Sequence, residues 1–271
     1  MAVRKIGKTA FIFLGNSTGS AFDIGVAKVL FRKIKPDYVF GTSMGSLNVA
    51  FILKDKNVIE NIKKLEEHWK TYNAKKIFKI NPEIFYKLFF AKSIFTNKGM
   101  KEAFGNDGGL NERKIEDCAI PLYIGAYDNT NKTTALFHEG SLLDAVMASC
   151  ASPPFFPPYK VDGIEYLDGG INGRACVDKA IELGCKRIFF INAVNKSMRG
   201  NNILSAFKTA VHIMKIASIE HLLDSKLKSF FIDISPDKNK IPAGFTNLNN
   251  TELLIKHGEE KAKEILENLG Y

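Results

Sequence analysis

The pentapeptide Gly41-Thr42-Ser43-Met44-Gly45 sets a serine between two glycines in the G-x-S-x-G spacing. An apolar, strand-like run leads into it (Asp37-Tyr38-Val39-Phe40), and a helix-like run from Ser46 to Leu53 leads out. A serine on a sharp strand-to-helix turn presents its hydroxyl to a cleft while its own backbone is strained. Gly41 and Gly45 suit such a turn, because a Cβ on either side would collide with the neighbouring strand or helix. The chemistry this predicts is nucleophilic attack by Ser43 on an acyl carbon, which requires a base to take the hydroxyl proton.

Two kinds of base are available. The chain has five histidines. By sequence setting His68 and His257 fall on charged helix faces, and His212 and His221 within an amphipathic helix. His138 follows a strand-like segment and is the one placed near a loop. Among carboxylates, Asp168 ends the short run Glu165-Tyr166-Leu167 and precedes Gly169-Gly170, where a tight turn would leave it facing a cleft. An ordinary Asp-Gly turn would read the same way.

These residues need a frame. Residues 9–14 read as a buried strand, Gly15 to Ser20 as a polar turn, and the stretch after it as a helix with Phe22, Ile24, Val26, Val29 and Leu30 on its apolar face. With strand 37–40 and the helix after Ser43 this makes a β-α-β-α opening, the pattern of a mainly parallel sheet covered by helices. Further on come a charged amphipathic helix over 57–72 holding the only tryptophan, Trp69, strands at 122–127 and 133–137, and a helix at 141–149. A helix is expected from about Val177 to Leu183, and then a strand over 187–193. After these come a long helix over 203–224, a strand over 227–234 and a terminal helix over 251–268. There is no internal repeat or low-complexity linker. The expectation is one domain over residues 1–271, its motif-bearing core at about 9–193 and a helical C-terminal extension at about 200–271.

Composition narrows the classes. With 271 residues, 45% of them hydrophobic, and a mean hydropathy of −0.07, the chain can bury a large core, which excludes wholesale disorder. No apolar run approaches the roughly 20 residues that span a bilayer, and Phe11-Ile12-Phe13-Leu14 is too short for a signal-peptide core. A cytoplasmic protein is expected. The four cysteines, Cys118, Cys150, Cys176 and Cys185, form no C-x-x-C pair and read as reduced thiols, with no metal site expected. The net charge of +9 favours anionic surfaces such as phospholipid headgroups, and a lysine-rich solvated surface accounts for it equally well. No nucleic-acid module is present.

Three segments taken together resemble the patatin-like phospholipases in order and spacing: Gly41 to Gly45, the block Ala148-Ser149-Cys150-Ala151-Ser152-Pro153-Pro154-Phe155-Phe156-Pro157-Pro158, and Asp168-Gly169-Gly170. The looser match runs from Phe11 to about Phe190. The resemblance implies a three-layer α/β/α sandwich with a mainly parallel central sheet. It implies hydrolysis of lipid acyl esters by a Ser43–Asp168 dyad, without histidine, metal or cofactor. Met44, the residue after the nucleophile, offers an oxyanion donor by the nucleophile-elbow rule, and the family's glycine-rich loop places Gly15, Asn16 and Ser17 beside it. In that loop the family pattern is G-G-G-x-[RK]-G, whereas this chain reads Gly15-Asn16-Ser17-Thr18-Gly19-Ser20. Where the family continues from D-G-G toward N-x-P, this chain has Arg174, Ala175 and Cys176.

The implied partner is a lipid or acyl-ester substrate, with peripheral contact on an anionic membrane as a further possibility. Alternatives on the same scaffold are a thioesterase or acyltransferase using the same acyl-enzyme, or a lipid- or partner-binding protein whose altered loop no longer stabilises an oxyanion. Residues 83–95, with Phe85, Tyr86, Phe89, Phe90, Phe95, Lys87 and Lys92, read either as a lid that dips into lipid or, more simply, as a covering helix with core aromatics.

Overall fold

The computed structural model of the chain describes residues 7–71, 74–85, 93–193, 231–237 and 248–271. Among the described residues eight strands form one sheet in the order β5-β6-β3-β2-β1-β7-β8, with β4 paired to β3 outside that path. The strands are β1 (Lys8–Leu14), β2 (Tyr38–Thr42), β3 (Leu122–Asp128), β4 (Thr133–Phe137), β5 (Tyr159–Val161), β6 (Ile164–Asp168), β7 (Cys185–Asn192) and β8 (Phe231–Ile234). From β3 through β2, β1 and β7 to β8 every pairing is parallel. β4, β5 and β6 add antiparallel pairings at the other side.

Strand side chains alternate between faces, and here both faces are buried. Phe11 and Phe13 of β1, with Phe189 and Ile191 of β7, enter the larger core. Ala10, Ile12, Leu14, Ile188 and Phe190 enter a second core on the opposite face. The first core is closed by α1 (Ala21–Lys33), α2 (Met44–Leu53) and α3 (Val58–Thr71). The short α4 (Ala74–Ile77) and α5 (Lys98–Met100), then α6 (Leu142–Ser149), also lie along the chain here. The second core is closed by α7 (Arg174–Glu182) through Cys176, Val177 and Ala180. Helices on both faces of a mostly parallel sheet make the expected three layers.

The terminal helix α8 (Thr251–Asn268) packs backbone to backbone on α1. A Cβ on Gly25 would come within 1.9 Å of the Ile255 carbonyl oxygen, and one on Gly258 within 2.2 Å of that of Phe22. Lys28 of α1 bridges Glu66 of α3, at 2.7 Å, and Glu259 of α8. β8 extends the sheet beside β7, so the described residues after 230 join both the sheet and the helical layer.

Elements read from the sequence keep their types with modest boundary shifts, except in the aromatic segment, where Pro82–Phe85 is a single 3-10 turn and Phe95 forms an isolated bridge with Ile80 rather than part of a covering helix. α7 begins at Arg174 rather than Val177; its first turn is polar, with Arg174 paired to Asp178 at 3.2 Å, so apolar periodicity shows only from Cys176 onward. Ser141 is the N-cap of α6, accepting from the Asp144 N–H. The helix expected over 203–224 lies outside the described residues.

Candidate active site

The turn from β2 into α2 holds Ser43 at φ 53°, ψ −138°, a region that side chains other than glycine rarely occupy. The neighbours leave no room for larger residues. A Cβ on Gly41 would lie 2.5 Å from Ser46 Cα, and one on Gly45 2.4 Å from the Phe13 carbonyl oxygen. The Ser43 carbonyl accepts from the Ser46 N–H at 2.9 Å and from the Ser46 hydroxyl at 2.6 Å. The Ser43 N–H donates to Ser149 Oγ at 2.8 Å.

Sheet register brings the aspartate to the serine. Along one edge of β3, β2 pairs as far as Thr42 opposite Gly125; at the next position, Ala126, β6 takes over with Asp168. β4 runs along the other edge. Ser43 and Asp168 therefore lie where two strand ends meet on a common neighbour. Ser43 Oγ donates to Asp168 Oδ2 at 2.7 Å. The other oxygen, Oδ1, accepts the Gly170 N–H at 2.7 Å, and the Asp168 N–H donates to the Ala151 carbonyl at 2.7 Å. Gly169 passes so close to β3 that a Cβ would sit 1.9 Å from the Gly125 carbonyl oxygen. Ser43 is 6% and Asp168 4% exposed, so the pair is nearly sealed from water and electrostatically strong.

The loop after β1 departs from expectation. The Gly15 N–H donates to the Thr42 carbonyl at 3.0 Å, and the Asn16 N–H to Ser20 Oγ at 2.8 Å. Neither amide is directed at Ser43 in this arrangement, which corrects their reading as oxyanion donors. The cause is local. Ser20, standing where the family has glycine, supplies a hydroxyl that reaches back to Asn16. Gly15 itself packs against the first turn of α2, with a Cβ there falling 2.4 Å from the Met44 nitrogen and 2.2 Å from that of Gly45. Ser17 takes a positive φ of 46°. The Asn16 side-chain amide donates to the Ala193 carbonyl at 3.3 Å. As the first residue of α2, Met44 has an N–H without an acceptor inside the helix.

Behind the loop, the Asn48 side-chain amide donates to the Ser20 carbonyl at 2.8 Å, and Asn48 Oδ1 accepts from Trp69 Nε1 at 3.1 Å. Asp23 is fully buried here, and neither of its oxygens makes a hydrogen bond of ordinary geometry. Burial holds its pKa well above the ordinary 3.8, and the polar neighbours Asn48 and Ser20 offset only part of the rise. The stability that the protonated form contributes is thus full below 3.8 and is lost as pH rises through the folded-state value. Asp23→Asn, neutral at every pH, is expected to raise the melting temperature at pH 8 by about 2–4 °C, the effect of roughly 1 kcal/mol. The gain should shrink toward pH 4. Thermal melts at the two pH values test this, and a variant no more stable than wild type at pH 8 would show that Asp23 is not a buried liability.

The histidines lie elsewhere. His68 is half-buried against Phe51 and Phe104, and burial lowers its pKa. His257 is buried against Phe22, its Nε2 accepting from the Asp237 N–H at 3.1 Å. Neither ring lies on the charged helix face expected from the sequence; in α8 the buried Leu254, one turn before His257, is on the same side of the helix. His138 stacks its exposed ring on Tyr123, and His212 and His221 lie outside the described residues. Burial pushes the Cys176 thiol to about 12, which leaves it inert. Among the described residues no cluster of three or more His, Cys, Asp or Glu could hold a metal ion.

The aromatic segment divides. Phe95 packs on Phe78 and Phe156, with ring centroids 5.4 and 5.7 Å apart, whereas Phe85 is 81% exposed. Tyr86, Lys87, Phe89, Phe90 and Lys92 lie outside the described residues. The Ile94 and Phe95 N–H groups donate to the Pro154 and Phe155 carbonyls, which joins this segment to the proline-phenylalanine block that follows Ala151.

A three-layer α/β/α sandwich with a buried serine–aspartate contact at a nucleophile elbow is the class of protein these features define. The family model for patatin-like phospholipases matches residues 15–181, and the chain belongs to the patatin-like phospholipase family. Patatin-like phospholipase domain-containing protein 6 of Homo sapiens is 25% identical over 186 residues, covering 68% of this chain and 13% of the relative. Lysophospholipase NTE1 of Scheffersomyces stipitis is 25% identical over 183 residues, 66% of this chain and 11% of the relative. The chain thus spans about one-eighth of the length of these curated relatives. VipD from Legionella pneumophila superimposes with a TM-score of 0.52 at 13% identity, over 97% of this chain and 67% of that one, a likeness of fold. Family membership supports lipid acyl hydrolysis as the general activity. No described helix is long and apolar enough to cross a membrane.

Proposed function

We propose that the protein is a serine acyl hydrolase acting on phospholipids or related acyl lipids, with Ser43 as nucleophile and Asp168 as its base. The observation that carries this reading is the 2.7 Å hydrogen bond from Ser43 Oγ to Asp168 Oδ2 at a backbone turn held in a strained conformation. Asp168 Oδ2 takes the hydroxyl proton as Oγ attacks the ester carbonyl, and the proton then passes to the departing alcohol. Water, deprotonated by the same carboxylate, releases the fatty acid from the acyl-enzyme. The Met44 N–H, at the positive end of α2, stabilises the oxyanion.

A lipid substrate fits the surface as well as the site. Ile80, 58% exposed, and Phe85 stand close in sequence to the exposed Lys75 and Lys76, a combination suited to peripheral contact with an anionic membrane. A thioester or a second acyl acceptor would use the same acyl-enzyme. The engaged amides of Gly15 and Asn16 favour one other reading, a lipid-binding protein without turnover.

A fluorophosphonate probe separates these. Stoichiometric labelling mapped to Ser43 by mass spectrometry, with fatty acid release from phospholipid vesicles, is the expected result. A folded protein that neither labels nor releases fatty acid would favour the binding reading.

A further inference from the structure

We propose that Ser149 is a positioning residue of this site, its hydroxyl pinning the backbone of the nucleophile while the segment it begins pins that of the base. The inference rests on the Ser43–Asp168 reading above. Ser149 closes α6 and is fully buried. Its Oγ accepts the Ser43 N–H at 2.8 Å and donates to the Gly125 carbonyl at 2.6 Å. A hydroxyl has one proton. With that proton given to Gly125, Ser149 Oγ faces Ser43 as an acceptor, and the direction of the chain is fixed. Two residues later the Ala151 carbonyl accepts the Asp168 N–H at 2.7 Å. Ser149 to Ala151 therefore grips both members of the pair, and Gly125 is the β3 residue opposite Thr42.

The arrangement has a chemical consequence. The Ser43 N–H is consumed in holding the elbow and is not an oxyanion donor. Without the Ser149 hydroxyl, the Ser43 N–H and the Gly125 carbonyl lose a buried partner, and the strained turn is free to relax. A shift of about 1 Å in a reacting atom costs on the order of 100-fold in rate. Substrate contacts remote from the elbow are untouched, so binding should change little.

The test compares wild type with Ser149→Ala, and Ser149→Thr with Ser149→Val, which have the same shape and differ in the hydroxyl. In Ser149→Ala, folded by circular dichroism, both kcat and the fluorophosphonate labelling rate at Ser43 are expected to fall by about 10- to 100-fold, with KM within about threefold. Ser149→Thr should label at least about tenfold faster than Ser149→Val. If Ser149→Ala does not fold, the Thr and Val pair decides. A folded Ser149→Ala labelling at the wild-type rate would overturn the proposal, as would equal impairment of Thr and Val, which points to space rather than the hydroxyl. Absence of labelling in wild type is the separate outcome that sinks the nucleophile assignment itself.

Discussion

Replacing Ser43 with alanine is expected to abolish fluorophosphonate labelling and to lower kcat for ester hydrolysis by about 10³-fold or more. The loss should be this large because Ser43 Oγ is the atom that would form the covalent bond. The two serine hydroxyls nearest the elbow are committed elsewhere, that of Ser46 to the Ser43 carbonyl and that of Ser149 to the Gly125 carbonyl. Folding should survive, since the elbow is built from backbone contacts of Gly41, Gly45 and Gly15 that the substitution does not touch. A paired substitution reads the strain directly. Ser43→Ala and Ser43→Gly both lose Oγ, but only alanine keeps a Cβ at φ 53°. The glycine variant should therefore melt about 2–4 °C higher, the effect of roughly 1 kcal/mol. Full hydrolysis by Ser43→Ala would refute the nucleophile assignment, and equal melting temperatures would show that the turn is not strained.

That turn was legible in the sequence because its signal is local: a G-x-S-x-G pentapeptide between an apolar strand and an apolar helix. Asp168 was legible for a different reason. Its own surroundings fit an Asp-Gly turn, and the family resemblance singled it out. The positions of Ser20 and Ser149 were not legible as contacts. Each depends on a partner set by tertiary structure: Ser20 on the fold of the 15–20 loop and Ser149 on how α6 ends beside β3. Reading the loop by its glycine pattern made Gly15 and Asn16 oxyanion donors, whereas their amides bond to Thr42 and Ser20. The burial of His257 is not legible from its neighbours in α8, which are charged; its sequence signal is Gly258, whose missing side chain lets α8 touch α1. Helix and strand types came through because strands buried on both faces, such as Arg187 to Asn192, are nearly continuous apolar runs.

Asp168→Asn is the sharper test of mechanism, because it keeps shape and changes only the capacity to take a proton. The Gly170 N–H donates to Asp168 Oδ1 at 2.7 Å and will select the rotamer of an asparagine in its place: the carbonyl oxygen must face Gly170, because an NH₂ there would oppose another donor. The amide nitrogen then faces Ser43. The hydrogen bond at this position reverses, with the asparagine donating to Ser43 Oγ and the serine proton directed away. Packing and geometry are retained, yet the base is lost and the nucleophile's lone pair is engaged. A loss in kcat of about 10³- to 10⁴-fold is expected, with KM little changed and a near-wild-type melting temperature. The two catalytic substitutions should also fail to add. Once Ser43 is alanine, Asp168→Asn has no proton transfer left to remove, and the double variant should be no slower than Ser43→Ala alone. Retention of activity within tenfold by folded Asp168→Asn would require a different base. A double variant much slower than either single one would mean that Asp168 contributes to turnover by a route other than the Ser43 hydroxyl, which the 2.7 Å contact between them argues against.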